Sequence, residues 1–228
     1  MFYRINDELS AQKMKEMIAA GRGNEKYVPE WSDAYSVEMR LGDCEYCPVC
    51  GAPASHLEWL PPLKMRLTNT RYPNRLIHWL SQPMVISQEV KDAYEAEGLT
   101  GITEFEPIEI TSVANRKTVS KMPPKYYRAK IGRTQIVRVD SVTTIIDGRP
   151  HDHFCQLCDP LGRTIDCIRQ VGLIIPKQID ADIFRIYGWG MAVIVSQRFY
   201  DMVQRNHFTN FYFTPIEYVN GVRADGEA

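Results

Sequence analysis

The stretch VISQEVKDAYEAEGLTGITEFEPIEI, Val85–Ile110, returns as IVSQRFYDMVQRNHFTNFYFTPIEYV, Ile194–Val219, and that return decides how the chain is read. Ser87 and Gln88 match Ser196 and Gln197, Asp92 matches Asp201, and Thr100 matches Thr209. After one gap, Phe105, Pro107, Ile108 and Glu109 match Phe213, Pro215, Ile216 and Glu217. Each copy starts with an apolar, strand-like run, PMVI or MAVIV, and meets a serine of the type that caps helices. Val90, Ala93 and Tyr94, like Phe199, Met202 and Val203, then fall on one helical stripe, and Gly98 and Asn206 suit helix ends. ITEFEPIEI and NFYFTPIEYV alternate as strands do, with Pro107 and Pro215 pointing to sheet edges or bulges. A strand-helix-strand unit used twice is the expectation.

Upstream of each copy stands a cysteine cluster, CEYCPVCGAP at Cys44–Pro53 and HDHFCQLCDP at His151–Pro160. The clusters keep step with the repeat: Cys50 to Ser87 is 37 positions (87 − 50) and Cys158 to Ser196 is 38 (196 − 158). In Cys47-Pro48-Val49-Cys50-Gly51 two intervening residues let both sulfurs face one ion. Pro48 pre-sets the turn, and Gly51 can take positive φ as the chain leaves it. Cys155-Gln156-Leu157-Cys158 supplies a second half-site, followed by Asp159, which tolerates the left-handed region. Four thiolates from Cys47, Cys50, Cys155 and Cys158 would close a tetrahedral structural Zn²⁺ site with no position open for catalysis. Reduced core thiols are one alternative. A redox pair is another, although Pro48, Gly51 and Pro53 favour a turn over the helix start such a pair uses. Cys44 overlaps as a spare or alternative ligand, and Cys167 reads as a core thiol. His151 and His153 either replace a cysteine or face solvent.

The fold class expected is α+β, two pseudo-symmetric strand-helix-strand units joined by a zinc-knuckle site. Residues 1–43 form a helical or irregular N-terminal segment that includes LSAQKMKEMIAAGRG, and 44–110 the first knuckle and unit. Residues 111–154 form a basic connecting segment, and 155–228 the second knuckle, unit and tail, all in one compact domain.

Composition bounds the partners. With 228 residues, 44% of them hydrophobic, the chain can bury a sizeable core, and a formal charge of −1 gives no global drive toward nucleic acid or anionic lipid. MFYRINDELS lacks the basic start and apolar run of a secretory signal, and no apolar run is long enough to span a membrane. The cytoplasm is the expected compartment, where thiols stay reduced and paired cysteines read as metal ligands.

Charge is segregated locally. Glu89, Asp92, Glu95, Glu97, Glu104, Glu106 and Glu109 are opposed in their stretch by Lys91 alone. From Thr111 to Val139 every charged residue is basic: Arg116, Lys117, Lys121, Lys125, Arg128, Lys130, Arg133 and Arg138. Glu95, Glu97, Glu104 and Glu106 on one side, and Arg116, Lys117, Lys121 and Lys125 on the other, are the candidate partner-binding residues. Blocks of this kind most often form solvated faces that neutralise one another; with Tyr126 and Tyr127 inside it, the 116–138 block is also compatible with a zinc-stapled nucleic-acid-binding module. No metalloprotease, nucleophile-elbow, phosphate-loop or dinucleotide motif occurs, which argues against an enzyme.

CPVCG, the second C-x-x-C and the ending DIFR…AVIVSQRFYDMVQ…F-x-P-I-E-Y-V together resemble the double-CxxCG motif family of bacterial immunity proteins, over about Cys47 to Val219. The ending is also similar to that of another immunity family. The resemblance implies that Cys47, Cys50, Cys155 and Cys158 are the family's cysteines. It also implies that the protein binds and neutralises a cognate toxin encoded beside it. Asp159 departs from the family's glycine, and Cys44 is extra.

Overall fold

The computed structural model describes residues 1–6, 34–55, 57–68, 70–76, 84–114, 122–139, 144–147, 155–158, 167–170, 172–174, 179–187, 192–219 and 222–223. The helical-looking LSAQKMKEMIAAGRG lies outside the described residues, as do Arg116, Lys117, Lys121, His151, His153 and Asp159.

In chain order the strands are β1 (Phe2–Asn6), β2 (Ala34–Val37), β3 (Arg40–Leu41), β4 (Trp59–Leu60), β5 (Lys64–Leu67), β6 (Arg75–Leu76), β7 (Met84–Ser87), β8 (Ile102–Val113) and β9 (Tyr126–Ile131). They continue with β10 (Arg133–Val139), β11 (Thr144–Asp147), β12 (Cys167–Gln170), β13 (Gly172–Ile174), β14 (Ile183–Tyr187), β15 (Val193–Ser196), β16 (Tyr212–Pro215), β17 (Tyr218–Val219) and β18 (Val222–Arg223). Helix α1 (Gln88–Ala96) follows β7, and α2 (Gln197–Arg205) follows β15. The described protein is therefore a mixed α+β fold, mostly strands with two helices.

Six strands run in the order β2-β5-β8-β9-β7-β6, and eight in the order β16-β1-β15-β14-β10-β13-β17-β18. Only Ile216 and Glu217 separate β16 from β17, so the chain itself brings the two sides of the larger sheet together and leaves it nearly closed. The expected strand-helix-strand order is present at both places. β7 and β8 both pair antiparallel to β9 between them, and β15 and β16 both pair antiparallel to β1 between them. The registers agree: Tyr127 stands between Ile86 and Pro107, and Tyr3 between Val195 and Pro215. The prolines cost the ladders little, because the start of β8 is paired only with β9 and β16 is a sheet edge.

The amphipathic stripes read from the sequence are core. Val90, Tyr94, Phe199, Met202 and Val203 are buried together with Ile86 and Val195 in one cluster shared by both helices. Both helices end in the same way. Gly98 N–H bonds to Glu95 C=O and Leu99 N–H to Tyr94 C=O, while His207 N–H bonds to Gln204 C=O and Phe208 N–H to Val203 C=O. This is the Schellman closure, and it needs a left-handed residue, Gly98 at φ 61° and His207 at φ 53°. The N-termini differ. Ser196 Oγ accepts a hydrogen bond from Phe199 N–H at 3.3 Å, whereas Ser87 makes no such cap and its Oγ accepts one from Asn74 instead.

Candidate metal centre

The first knuckle is the tip of a long hairpin. Arg40 and Leu41 pair with Leu60 and Trp59 at its base, and Gly42 N–H bonds to Glu58 C=O and Glu58 N–H to Asp43 C=O above them. Ala54 N–H then bonds to Glu45 C=O, Tyr46 bridges Pro53, and Cys47 N–H bonds to Ala52 C=O. Gly51 closes the turn onto Cys47 C=O at 2.9 Å with φ 71°, the conformation expected of it from the sequence. The second knuckle, Cys155–Cys158, is a turn as well.

The two tips meet. The Sγ atoms of Cys47, Cys50, Cys155 and Cys158 all lie within 4.8 Å of one another. Cys47 Sγ is 3.9 Å from Cys155 Sγ, and Cys50 Sγ is 3.4 Å from Cys158 Sγ. A tetrahedral ion with metal–sulfur bonds of about 2.3 Å separates its sulfurs by about 3.8 Å. The four thiols therefore fit a metal ion. The members of each of these two close pairs are 108 positions apart, so both pairs join one knuckle to the other.

Backbone geometry prepares the thiolates. N–H groups of Cys158 and Leu157 aimed at Cys155 hold its thiol down at about 7, against burial. At Cys47 burial is the largest influence and opposes ionisation, yet N–H groups of Cys50 and Val49 and the Cys158 thiol outweigh it and lower the pKa. Cys158 is pushed up, first by burial and then by the neighbouring thiols. Cys50 is also raised: the Ala52 N–H favours its thiolate, but burial and the Cys155 and Cys47 thiols prevail. Two sites that ionise readily beside two that resist is the pattern of four groups that need a cation between them before all can lose their protons.

Cys44 stands outside this cluster, half-buried on the wall of a cavity beside the hairpin. Cys167 falls in β12, and its side chain is outside the described residues.

The acidic and basic stretches meet across one ladder. Glu104 opposes Lys130 and Glu106 opposes Arg128 in the β8–β9 register. Arg128 is buried with Glu106, donates to Trp59 C=O and lies 3.6 Å from Glu58. Lys130 is held by Glu58 at 3.1 Å, Glu104 at 3.1 Å and Glu106 at 3.2 Å, and its pKa is raised by those carboxylates against burial, the largest single influence. Arg133 pairs with Glu45 at 3.3 Å and donates to Ala54 C=O. Three of the described cations in the block are thus engaged inside the fold, while Lys125 is exposed. Of the acidic candidates, Glu106 is buried, Glu95 is exposed beside Lys91 at 2.7 Å, and Glu97 holds Arg205 at 2.6 Å.

Two residues that the sequence reading passed over fasten the helices. Asn74 donates to Ser87 Oγ and Glu89 Oε2, and its Oδ1 accepts from Thr209 N–H at 3.1 Å. Asp182 accepts from Ser196 Oγ at 2.7 Å and Arg198 Nη1 at 3.0 Å, and its Oδ2 from Thr100 N–H at 3.1 Å. Each residue grips the serine of one helix and the threonine that follows the other. Their separation, 108 positions (182 − 74), equals that of the cysteines, and this was a signal available in the sequence.

No family model matches the chain, and no curated protein matches it in sequence. Among the described residues no helix is long and apolar enough to cross a membrane.

Proposed function

We propose that the protein is an immunity protein that binds and neutralises a cognate toxin encoded beside it, and that its four cysteines hold one structural zinc ion joining two duplicated halves. The observation that carries the reading is the four-thiol cluster assembled from two knuckles. Such a set fills a tetrahedral ion and leaves it no place for substrate, so it suits a binding protein better than a metal-dependent catalyst. The resemblance of CPVCG and the VSQRFYDMVQ…F-x-P-I-E ending to double-CxxCG immunity proteins supplies the kind of partner.

The duplication is supported by repeated contacts. Tyr127 OH donates to Gln88 Oε1 at 2.5 Å and Gln88 Nε2 to Asp92 at 2.6 Å; Tyr3 OH donates to Gln197 Oε1 at 2.9 Å and Gln197 Nε2 to Asp201 at 2.9 Å. The ammonium of Lys91 lies over Tyr127 and Phe105, where Tyr200 packs on Tyr3 and Phe213. In this reading FYR at Phe2–Arg4 and YYR at Tyr126–Arg128 are equivalent leading strands, and each half lends its leading strand to the other.

Zinc here is a fastener. Its thiolate bonds would tie knuckle to knuckle, and the two Asx clasps tie helix to helix. A toxin would meet a pre-formed surface, gaining affinity from a few buried anchors and speed from charge. Co-expression with the neighbouring toxin gene tests the function. Growth is restored and the two proteins co-purify if the reading holds; a neighbouring product that is harmless alone overturns it. Nucleic-acid binding with a steep salt dependence and no toxin partner would favour the module reading instead.

A further inference from the structure

The four clustered thiols differ in what reaches them. Cys47 and Cys155 are buried, at 2% and 4% exposure, whereas Cys50 is exposed and Cys158 half-buried. The approach to Cys50 is open. Pro48, Val49 and Gly51 beside it are exposed, and apart from its chain neighbours no heavy atom lies within 4 Å of the place a side chain at Gly51 would take. The cluster therefore has an inner pair, Cys47 with Cys155, and an outer pair, Cys50 with Cys158, each spanning the two knuckles. The outer contact is also the shorter, 3.4 Å against 3.9 Å.

A small oxidant meets the most accessible sulfur first, and the sulfenic acid formed there condenses with a thiol within reach. We propose that Cys50 is a peroxide-reactive site and that Cys158 resolves it, giving a Cys50–Cys158 disulfide across the knuckles. The Cys50 thiolate attacks one oxygen of hydrogen peroxide and breaks the O–O bond, leaving Cys50 as sulfenic acid and releasing hydroxide. The Cys158 thiolate then attacks the Cys50 sulfur, forms the S–S bond and expels a second hydroxide. Two thiolates together give up two electrons, and the peroxide takes them. The sulfurs must close from 3.4 Å to about 2.05 Å, a movement for which the open side of the cluster leaves room.

Oxidation inside one knuckle would have the opposite consequence. A Cys47–Cys50 disulfide would release the two tips from each other, whereas the cross-link keeps them joined over the 108 positions between its cysteines. Cys47 and Cys155, left as two thiols, do not close a tetrahedral site. Under oxidation the protein would thus exchange a metal fastener for a covalent one and stay stapled in both states. The exchange rests on the four-thiol zinc reading, whereas the disulfide needs only the sulfur geometry.

Peptide mapping by mass spectrometry of the full chain, purified without added zinc and treated with hydrogen peroxide, tests it, while a chromophoric chelator records metal release. The expected product is one cross-linked peptide pair joining Cys50 to Cys158, formed in step with metal release and reversed by dithiothreitol and zinc. The oxidised chain should melt at least about 10 °C above the reduced, metal-stripped chain, because a cross-link closing so long a loop constrains the unfolded state strongly. Cys44→Ser should leave rate and product unchanged, since Cys44 stands outside the cluster. Any pairing other than Cys50 with Cys158, sulfinic acid at Cys50 without a cross-link, or thiols that survive excess peroxide overturns the proposal. A chain that forms the cross-link yet never held metal overturns the zinc reading alone, and metal bound without the cross-link overturns this one alone.

Discussion

The region around β7, α1 and β8 and the region around β15, α2 and β16 agree where they touch each other and differ where they face away. Ser87 and Ser196, Thr100 and Thr209, Gly98 and His207, and the two clasp residues occupy matching places. The clasps even exchange charge in step: Asn74 faces Glu89, and Asp182 faces Arg198. Away from that contact, β8 runs unbroken for 12 residues, while its counterpart is split into β16 and β17 and curls to nearly close the larger sheet. The exposed side of α1 carries Glu89, Asp92 and Glu95, and that of α2 Arg198, Gln204 and Arg205. Under the proposed duplication, packing and hydrogen bonding at the mutual contact tolerate few substitutions and solvated faces tolerate many, so divergence collects outside.

The comparison is most severely tested at the thiols. Cys47→Ser and Cys155→Ser should each lose the metal and lower Tm by more than about 10 °C, and by similar amounts, because each removes one bond between the same two tips. Cys44→Ser should change neither metal content nor Tm, since Cys44 lies outside the cluster. A matched loss at Cys44 would break the assignment.

In the shared core, Phe199→Ala should cost about 3–5 kcal/mol in denaturant melts, and Val90→Ala, its counterpart on α1, clearly less, both side chains being fully buried. Removing a clasp should come next. Asp182→Ala leaves Thr100 N–H and Ser196 Oγ without their acceptor and should cost about 1–3 kcal/mol, with Asn74→Ala smaller because Asn74 is less buried. Hydrogen exchange at Thr100 N–H, on the other helix unit, should quicken in the Asp182 variant; unchanged exchange there would mean that the clasp does not couple the units.

Much of this was legible. Cysteine spacing marked the four thiols, and the Ser-Gln, Thr and Phe-x-Pro-Ile-Glu matches marked both helices and their flanking strands. The central strands were not. Tyr3 and Tyr127 occupy equivalent register positions, yet they are 124 apart (127 − 3) while the cysteines step by 108, so a search at constant period passes over them. Three residues of likeness, FYR and YYR, are too few to signal alone. The segment 111–154 was therefore read as a basic connector, although it contains β9, the strand that divides β7 from β8. Arg128 and Lys130 read as surface charge for the same reason: which carboxylates neutralise them depends on long-range strand pairing.

The smallest effect expected separates the helix ends. His207→Gly should stabilise by up to about 1 kcal/mol, because a side chain with a Cβ now holds a left-handed φ, and Gly98→Ala should destabilise by a similar amount. Opposite signs sharpen the equivalence of the two ends, and like signs blunt it.

The central claim, one metal ion held jointly by both knuckles, is tested most directly by X-ray absorption on protein purified without added zinc. One zinc per chain with four sulfurs at about 2.3 Å is the predicted result. A folded, metal-free protein, or a metal bound by two sulfurs and lighter atoms, would contradict it.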